Sequence, residues 1–499
     1  FTEKPVLDDP QNMPDGIIGG SYGFPMAGFD IKVDPAPEKA PTTYTAANLP
    51  AGLKVNPKTG KITGRPTKAF PAGRDVTLGA ANTQKADPVV ETIIIKDFPA
   101  NLAGTYSGTV DPDPALNDGL GGRIDVTISA TGALTGTLTL GAERIPLKGG
   151  IEVDAAEVLP PNYTVTLKRK NGTNVTLAFD MIIDNIVTTQ RLLTGNANGI
   201  PVNGWRHAVP AEAAAFQGYY TFGLELGDPG HPGQEHIPQG WSYGAFTVDK
   251  NGKWKIAGRT ADGETITCAA SVGFAGQMVV FQTLYKPLAG SLWGSLVIDP
   301  VDTNNAEDNS LSGDVNWVRP ANTNTKTRAY QAGFGLPGTP EASPVPLEAT
   351  GGIYVDPTKT KVLIMGLASP GTQTNLNLDF EQGDLPTSTQ DPDQILGILD
   401  GNKIANPKPA GPTSTLIKKL AAKTGLFDGT FRLTDPDQRT GATGNLTRDA
   451  VFHGILIRDD VEMKTYGVGH FLLEKRPQDG EVPKKTVPVL GGWFELREN

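Results

Sequence analysis

The chain contains a single cysteine, and this scarcity sets the first limit on its structure. With Cys268 alone, no intrachain disulfide can form. Cys268 lies among alternating apolar residues between Ile266 and Val272, which predicts a small, buried side chain. The chain also begins at Phe1 instead of a methionine. We interpret this as a processed start after removal of an export signal, and therefore expect the protein outside the cell or at its surface.

A basic excess and a long apolar run are also missing. The 44 Lys and Arg residues stand against 54 Asp and Glu residues, which gives a net charge of −10 and a pI near 5.2. This balance excludes a broad nucleic-acid-binding surface, because such a surface needs a basic excess. The sequence has no apolar run of about 18 residues, so it predicts no membrane-spanning segment. A chain of 499 residues can hold roughly two to four domains with cores of their own.

The common catalytic motifs are missing as well. The sequence contains no G-x-S-x-G elbow, P-loop, dinucleotide-binding glycine loop or H-E-x-x-H pattern. No pair of acids is singled out for glycoside hydrolysis, because Asp and Glu lie mostly at turns. His231 and His236 lie with Asp228 and Glu235 in the loop GDPGHPGQEHIPQG, which we interpret as a solvated surface loop rather than a metal site. The sequence therefore predicts a protein that is not an enzyme.

Glycine and proline are abundant instead, with 60 and 41 residues. Residues 240–272 show the recurring pattern most clearly. Phe246 and Val248 share one face of a first arm, and Trp254 and Ile256 share one face of the returning arm after an Asp-Lys-Asn-Gly turn. Apolar residues at every second position between glycine turns predict a three-stranded antiparallel meander with one dry and one wet face.

The same layout occurs elsewhere, which suggests a domain organisation. Residues 122–147 match the pattern turn for turn, and each copy follows an aromatic residue beside glycine. We predict a sandwich at 1–99, a β-domain at 100–335 built from two related repeats at about 104–209 and 216–335, and a C-terminal β-domain at 336–499. In the last third, TLIKKLAAK at 415–423 is interpreted as a strand. Ile353, Val355, Val362 and Ile364 are predicted to form a hairpin around Asp356-Pro357-Thr358.

The first hundred residues carry the most specific motif, YTAANLPAGLKVNPKTGKITGRPT at 44–67. Physically it is a strand, a turn and a second strand that ends at Gly64-x-Pro66. The stretch resembles the Ig-like (cadherin-like) domain of bacterial surface proteins, in the pattern Y-x-x-x-x-LPxGL-x-x-(N/D)-x-x-TG-x-IxGxPT. The matching residues are Leu49, Pro50, Gly52, Leu53, Asn56, Thr59, Gly60, Ile62, Gly64, Pro66 and Thr67. The resemblance implies a β-sandwich over about residues 5–99.

The rest of the chain, residues 104–499, is similar to β-rich repeat regions that follow Ig-like domains in exported bacterial proteins. The segments that carry this likeness include GTLTLG, YGAFTVDKNG, GSLWGSL, LSGDVNW and TGLFDGTF. The likeness lies in arrangement more than in a sharp motif, and it implies no enzymatic activity.

Two kinds of ligand site are candidates. Clustered carboxylates suggest calcium at Asp111, Asp113 and Asp118, and again at Asp299, Asp302 and Asp308, although neither cluster has the helix-loop-helix spacing. Acidic loops on an acidic protein are usually only solvated, which is the alternative explanation of both clusters. Trp241, beside Gly240, and Tyr243 are candidates for stacking on a sugar. No other cofactor is predicted.

These observations predict an all-β protein, with an N-terminal Ig-like β-sandwich followed by antiparallel meanders that form one or two further sandwich or barrel domains. The leading functional hypothesis is a non-enzymatic exported surface protein with a structural, adhesive or assembly role. It would associate with itself or with other surface proteins through strand edges, with residues 1–9 as a reaching segment. The alternative is a carbohydrate-binding protein that uses exposed aromatic residues of the central repeat.

Overall fold

The computed structural model describes residues 3–170, 172–183, 191–227, 231, 233–300, 308–324, 326–371, 375–386, 392–408, 413–458 and 464–499. The fold is all-β, as the sequence predicts. The chain divides into two compact units, one of residues 1–111, 123–139 and 143–206, and one of residues 112–122, 140–142 and 207–499. The predicted domain boundaries themselves stay predictions.

The N-terminal region is a sandwich of a four-stranded and a three-stranded sheet. In sheet order, the first has Gly16–Ile17, Val89–Lys96, Phe70–Ala81 and Thr43–Ala47, and the second has Phe29–Asp30, Lys61–Gly64 and Leu53–Val55. Alternating residues of the long strands fill the space between the sheets, because successive side chains of a strand point to opposite faces. Ile62, Val76, Leu78 and Ile95 are among those fully buried there.

Three eight-stranded antiparallel meanders follow, and each pairs its first strand with its last. We number them first, second and third along the chain. The first meander has, in sheet order, the strands Glu143–Gly150, Ala133–Leu140, Gly122–Ile128, Gly104–Val110, Ile200–Arg206, Arg191–Ala197, Val175–Ile183 and Asn162–Leu167. Pairing of the first strand with the last curls the sheet on itself and leaves one seam, between the fourth and fifth strands.

The second meander repeats this strand order. Its strands are Thr265–Ile266, Ala257–Arg259, Ser242–Val248, Gly218–Leu226, Val345–Ile353, Ser310–Val318, Gly290–Asp299 and Gln277–Leu284. The predicted returning arm at Trp254 divides into two short strands, because Lys253–Lys255 leaves the main sheet and pairs with Ala269–Ser271. Cys268 is buried in this core, as predicted.

The third meander has the same cyclic order, with its seam one strand earlier. Its strands are Lys403–Ala405, Gln394–Leu399, Leu376–Gln382, Val489–Glu498, Thr465–Glu474, Asn445–Arg458, Leu426–Pro436 and Ser414–Ala421. The last of these confirms that TLIKKLAAK forms a strand. Five phenylalanines occupy its core, with ring centroids 5.1–5.8 Å apart and mostly edge to face: Phe380, Phe431, Phe452, Phe471 and Phe494.

In each seam a polar side chain adds hydrogen bonds where the strands are not paired as a ladder, and the first seam also contains a backbone bridge between Glu152 and Asn162. In the first meander, the Glu143 carboxylate accepts hydrogen bonds from the Arg169 Nε and the Lys170 backbone N–H, at 2.8 and 2.9 Å. In the second, the Gln282 amide donates to the Thr265 carbonyl at 2.9 Å and accepts from the Thr267 N–H at 2.6 Å. We call these groups seam clamps.

The third seam clamp is Asn406. Its side-chain amide donates to the Ile417 carbonyl and accepts from the Ile417 N–H, both at 2.9 Å. A carboxamide carries an NH2 donor group and a carbonyl acceptor in the same plane, so it can take the place of a neighbouring peptide group. The seams of the second and third meanders are thus closed by a substitute for backbone pairing.

Helices are few and short in the described residues. The α-helical turns are Pro114–Asn117, Pro210–Ala213 and Pro357–Thr360, and the 3₁₀ turns are Pro37–Lys39, Ala100–Leu102, Ala214–Phe216 and Ile364–Gly366. None of the helices in the described part of the chain has the length and apolarity needed to cross a membrane.

Two local predictions are wrong. The predicted hairpin around Asp356 does not form, because the Asp356 carboxylate caps the Thr358 N–H and starts a helical turn that ends at Lys361. The segment proposed to reach outward packs on its own sandwich from Glu3 onward: Leu7 is buried and bridges to Val33. Residues 1–2 lie outside the described residues.

Candidate functional site

The predicted sugar-binding residues Trp241 and Tyr243 lie at the start of the strand Ser242–Val248. Both are buried, with 7% and 6% of their surface exposed. Gly240 makes this possible, because a Cβ there would collide with His470 and with the Gly492 carbonyl. The Trp241 N–H donates to the Gly469 carbonyl of the third meander at 3.2 Å. The flanking glycine therefore buries the indole, and neither ring offers an open stacking face; sugar binding stays a prediction.

Trp241 and Tyr243 belong to an apolar cluster between the outer faces of the second and third meanders. We call it the inter-sheet contact. Its buried members are Trp241, Tyr243 and Ala245 from the second meander and Ile455, Ile457 and Val468 from the third, with Tyr219, Tyr466 and Trp493 packed around them. Burial of a large apolar side chain contributes about 1.5–3 kcal/mol, so the cluster holds the two sheets firmly together.

A row of polar residues crosses the third meander at the inter-sheet contact. Antiparallel register places Asp428 opposite His453, and His453 opposite His470. On the second meander, Tyr243 is paired with Arg259. The His470 ring centroid lies 5.8 Å from that of Tyr243 and 6.3 Å from that of His453. The contact therefore buries His470, with His453 and Asp428 partly exposed in the same row and Arg259 exposed at its edge.

Burial governs the protonation of this row. His470 is 2% exposed and its Nδ1 lies 2.9 Å from the Trp241 carbonyl, an arrangement in which Nδ1–H donates. Burial, together with nearby His453 and Arg259, lowers the pKa of His470 from 6.5 to about 4, although the Trp241 hydrogen bond opposes the shift. Burial and Arg259 also lower the pKa of His453. Burial raises the pKa of the Tyr243 hydroxyl to about 12. At neutral pH both histidines are uncharged.

The sequence reasoning missed His453 and His470. They are 17 residues apart and meet only because their strands pair in this register. The one available signal is that each histidine lies beside glycine in an apolar strand, in VFHGILI and YGVGHFLL. Among the described residues, no three His, Cys, Asp or Glu side chains are placed to hold a metal ion.

The first calcium candidate contains a helix cap. The Asp113 carboxylate accepts hydrogen bonds from the Ala115 and Leu116 N–H groups, and Asp118 ends the same helical turn in a left-handed conformation. Burial raises the pKa of Asp111. These roles account for Asp113 and Asp118 without a metal ion, and calcium binding stays a prediction.

The second calcium candidate is only partly described. Asp299 ends the strand Gly290–Asp299, and Asp308 forms an ion pair with Arg458 at 3.5 Å. Asp302 lies outside the described residues. Asp308 is thus already partly neutralised by a cation, and calcium at this cluster also stays a prediction.

Part of the histidine loop is buried. His231 is buried, and its Nε2 lies 3.5 Å from the Glu341 carboxylate. The Gln239 amide donates to three backbone carbonyls of the same loop, at His231, Gln234 and Ile237. The expectation of a solvated loop is therefore wrong for His231 and for residues 237–240, because these internal hydrogen bonds allow the loop to be buried. Asp228 lies outside the described residues.

In the N-terminal unit, Glu152 makes several of the polar contacts that join the sandwich to the first meander, and Lys96 adds a hydrogen bond to the Ala155 carbonyl. The Glu152 carboxylate accepts hydrogen bonds from the Ser21 N–H at 2.9 Å and the Ser21 hydroxyl at 3.0 Å, and it forms an ion pair with Arg65. Arg65 also donates to the Gly19 carbonyl. Arg65 is the variable residue in the G-x-P-T end of the sequence motif. The motif therefore contributes both to the fold of the sandwich and to its attachment to the first meander.

Comparison with known proteins bears on this N-terminal region. Residues 15–95 match the family described as "Putative Ig domain". None of the curated proteins matches the chain. The match agrees with the two-sheet sandwich and with the motif at residues 44–67, and residues 15–95 form an Ig-like domain.

Proposed function

We propose that this chain is an exported, non-enzymatic structural or adhesive protein of a bacterial surface. The observation that carries the proposal is the Ig-like domain at residues 15–95, a kind of domain consistent with such a role. The sandwich is also attached to the first meander by contacts among Glu152, Ser21 and Arg65. These three polar contacts restrict motion between the sandwich and the meander, which supports a structural role.

The three meanders support the same role. Each pairs its first strand with its last and has a seam clamp, so its unpaired strand edges lie at the seam and the association through strand edges that the sequence predicts is limited to that position. A module of this kind suits a structural role. The phenylalanine core of the third meander and the inter-sheet contact bury further apolar surface. This burial stabilises the fold, as a structural protein requires. Within this proposal, the partners are further copies of the chain or other surface proteins.

Two measurements test the proposal. Treatment of intact producing cells with a protease should degrade the protein while a cytoplasmic marker survives. Light scattering and negative-stain microscopy over a rising concentration series should show ordered assemblies. Protection of the protein inside intact cells would overturn the surface role. A strict monomer at every concentration would overturn self-association while leaving adhesion to other surface proteins in place.

A further inference from the structure

His470 is a titratable group enclosed at a contact between two sheets. It is 2% exposed, and the polar atom nearest its Nδ1 is the Trp241 carbonyl on the opposite sheet. The Gly240 backbone lies directly against it. An imidazolium at this position would be removed from water without a carboxylate beside it, which is unfavourable.

The charged and titratable neighbours of His470 come from four strands. His453 and Asp428 lie in the same cross-strand row, and Tyr243 and Arg259 face them from the second meander. His453 and Arg259 oppose a second positive charge, whereas Asp428 lies two strands from His470, directly opposite His453. The sheets therefore close readily over neutral histidines and poorly over charged ones.

We propose that the inter-sheet contact is an acid-sensitive latch, in which proton uptake by His470 separates the second meander from the third. Opening hydrates the imidazolium and moves it away from Arg259. The chain stays continuous, so the change exposes Trp241 and Tyr243 without loss of either sheet. The proposal is independent of the surface role.

Proton linkage determines the direction and the size of the pH effect on opening. The closed state binds the proton only near pH 4, whereas an exposed histidine binds it near pH 6.5. Below pH 6.5 the open state is therefore the better proton acceptor, and the opening equilibrium increases toward tenfold per unit until about pH 4. Between pH 7.5 and pH 5.0 we expect an increase of about 30-fold from His470 alone.

One acid at the same contact works in the opposite direction. Burial raises the pKa of Glu225, and Glu495 of the third meander and Glu348 raise it further. Protonation of Glu225 relieves this repulsion and favours closure. The Glu225→Gln variant should therefore open more steeply with acid than the wild type.

Hydrogen exchange of the Trp241 amide measures opening, because this N–H is bonded to Gly469 across the contact. In the full chain, exchange of residues 240–248, corrected for its intrinsic pH dependence, should become about 30-fold faster from pH 7.5 to pH 5.0. The His470→Asn variant keeps a donor near the Trp241 carbonyl but cannot titrate, so its change should stay below about fivefold. A matched control, His207→Asn, should behave as the wild type.

A wild-type exchange rate that is independent of pH would overturn the latch. So would a His470→Asn protein that keeps the full response, or a His207→Asn protein that loses it. If His470→Asn fails to fold at pH 7.5, an NMR titration of the wild-type imidazoles serves instead. A measured pKa of His470 well below 6.5 supports the latch, and a pKa of 6.5 or above overturns it.

Discussion

The first meander and the third close their seams with different chemistry. Glu143 uses a carboxylate, which accepts from Arg169 and Lys170 and depends on charge. Asn406 uses a carboxamide, which pairs with both backbone groups of Ile417 and carries no charge. Gln282 in the second meander also uses a carboxamide, as Asn406 does in the third, but its hydrogen bonds are more exposed. We therefore expect the first seam to respond to pH and the other two seams not to respond.

The third seam should be the easiest to break. Replacement of Asn406 by Ala leaves the N–H and carbonyl of Ile417, a 2% exposed residue, without partners. We expect a loss of about 2 kcal/mol in the free energy of opening of Ser414–Ala421, measured by native-state hydrogen exchange. Asn377→Ala, which removes an exposed amide pair of the same meander, is the control and should change little. Equal losses in both variants would contradict the clamp.

The second seam should lose less. Gln282→Ala removes the same two types of bond, but water can reach the freed Thr265 and Thr267 groups. We expect a loss of about 1 kcal/mol for Gln277–Leu284 by the same exchange measurement. Gln331→Ala, an exposed glutamine of the same compact unit, is the control. A loss larger than that of Asn406→Ala would reverse the proposed order.

The first seam should show the smallest effect at neutral pH and a distinct pH profile. Burial of Glu143 favours a higher pKa, but Arg169 and the Lys170 N–H outweigh it and hold the pKa below 4.5. A lowered carboxyl pKa stabilises the fold above 4.5, and this stability is lost as the pH falls through the folded-state pKa. Glu143→Gln should cost about 0.5 kcal/mol at pH 7 and should remove this acid-dependent loss.

Hydrogen exchange of Asn162–Leu167 from pH 7 to pH 3 measures this difference. Glu157→Gln alters an exposed carboxylate of the same meander and should keep the wild-type profile. If Glu143→Gln keeps the acid-dependent loss, Glu143 is not the titrating clamp.

Much of the architecture could be predicted from the sequence, because strand alternation is a local property. The alternation at Phe246 and Val248 and the turn motif of the Ig-like domain indicate their strands directly. Closure of the meanders could not be predicted, because it depends on pairing between strands far apart, such as Tyr106 with Arg206. The helical turn at Pro357 could not be distinguished from a hairpin turn, because Asp followed by Pro is common at both helix starts and tight turns.

Only part of the candidate site could be predicted from the sequence, for the same reason. Trp241 and Tyr243 were identified as aromatic residues near a glycine, but glycine permits either an open loop or a close approach, and here it permits the approach. His453 and His470 become neighbours only through register. The sequence alone does not specify which strands pair, so it cannot predict that these two histidines become neighbours.

Because the first and last strands of each meander are partners, the chain enters and leaves each one at neighbouring positions. Tyr106 is opposite Arg206, Tyr220 is opposite Ile353, and Leu376 is opposite Glu498. Cross-strand partners lie about 5 Å apart, so a whole meander could be removed or duplicated as a cassette and the cut ends rejoined by a very short connector. The length of such a protein can therefore be changed in whole modules with the interior core of each meander kept, although removal of the second or third meander requires polar replacements at the inter-sheet contact.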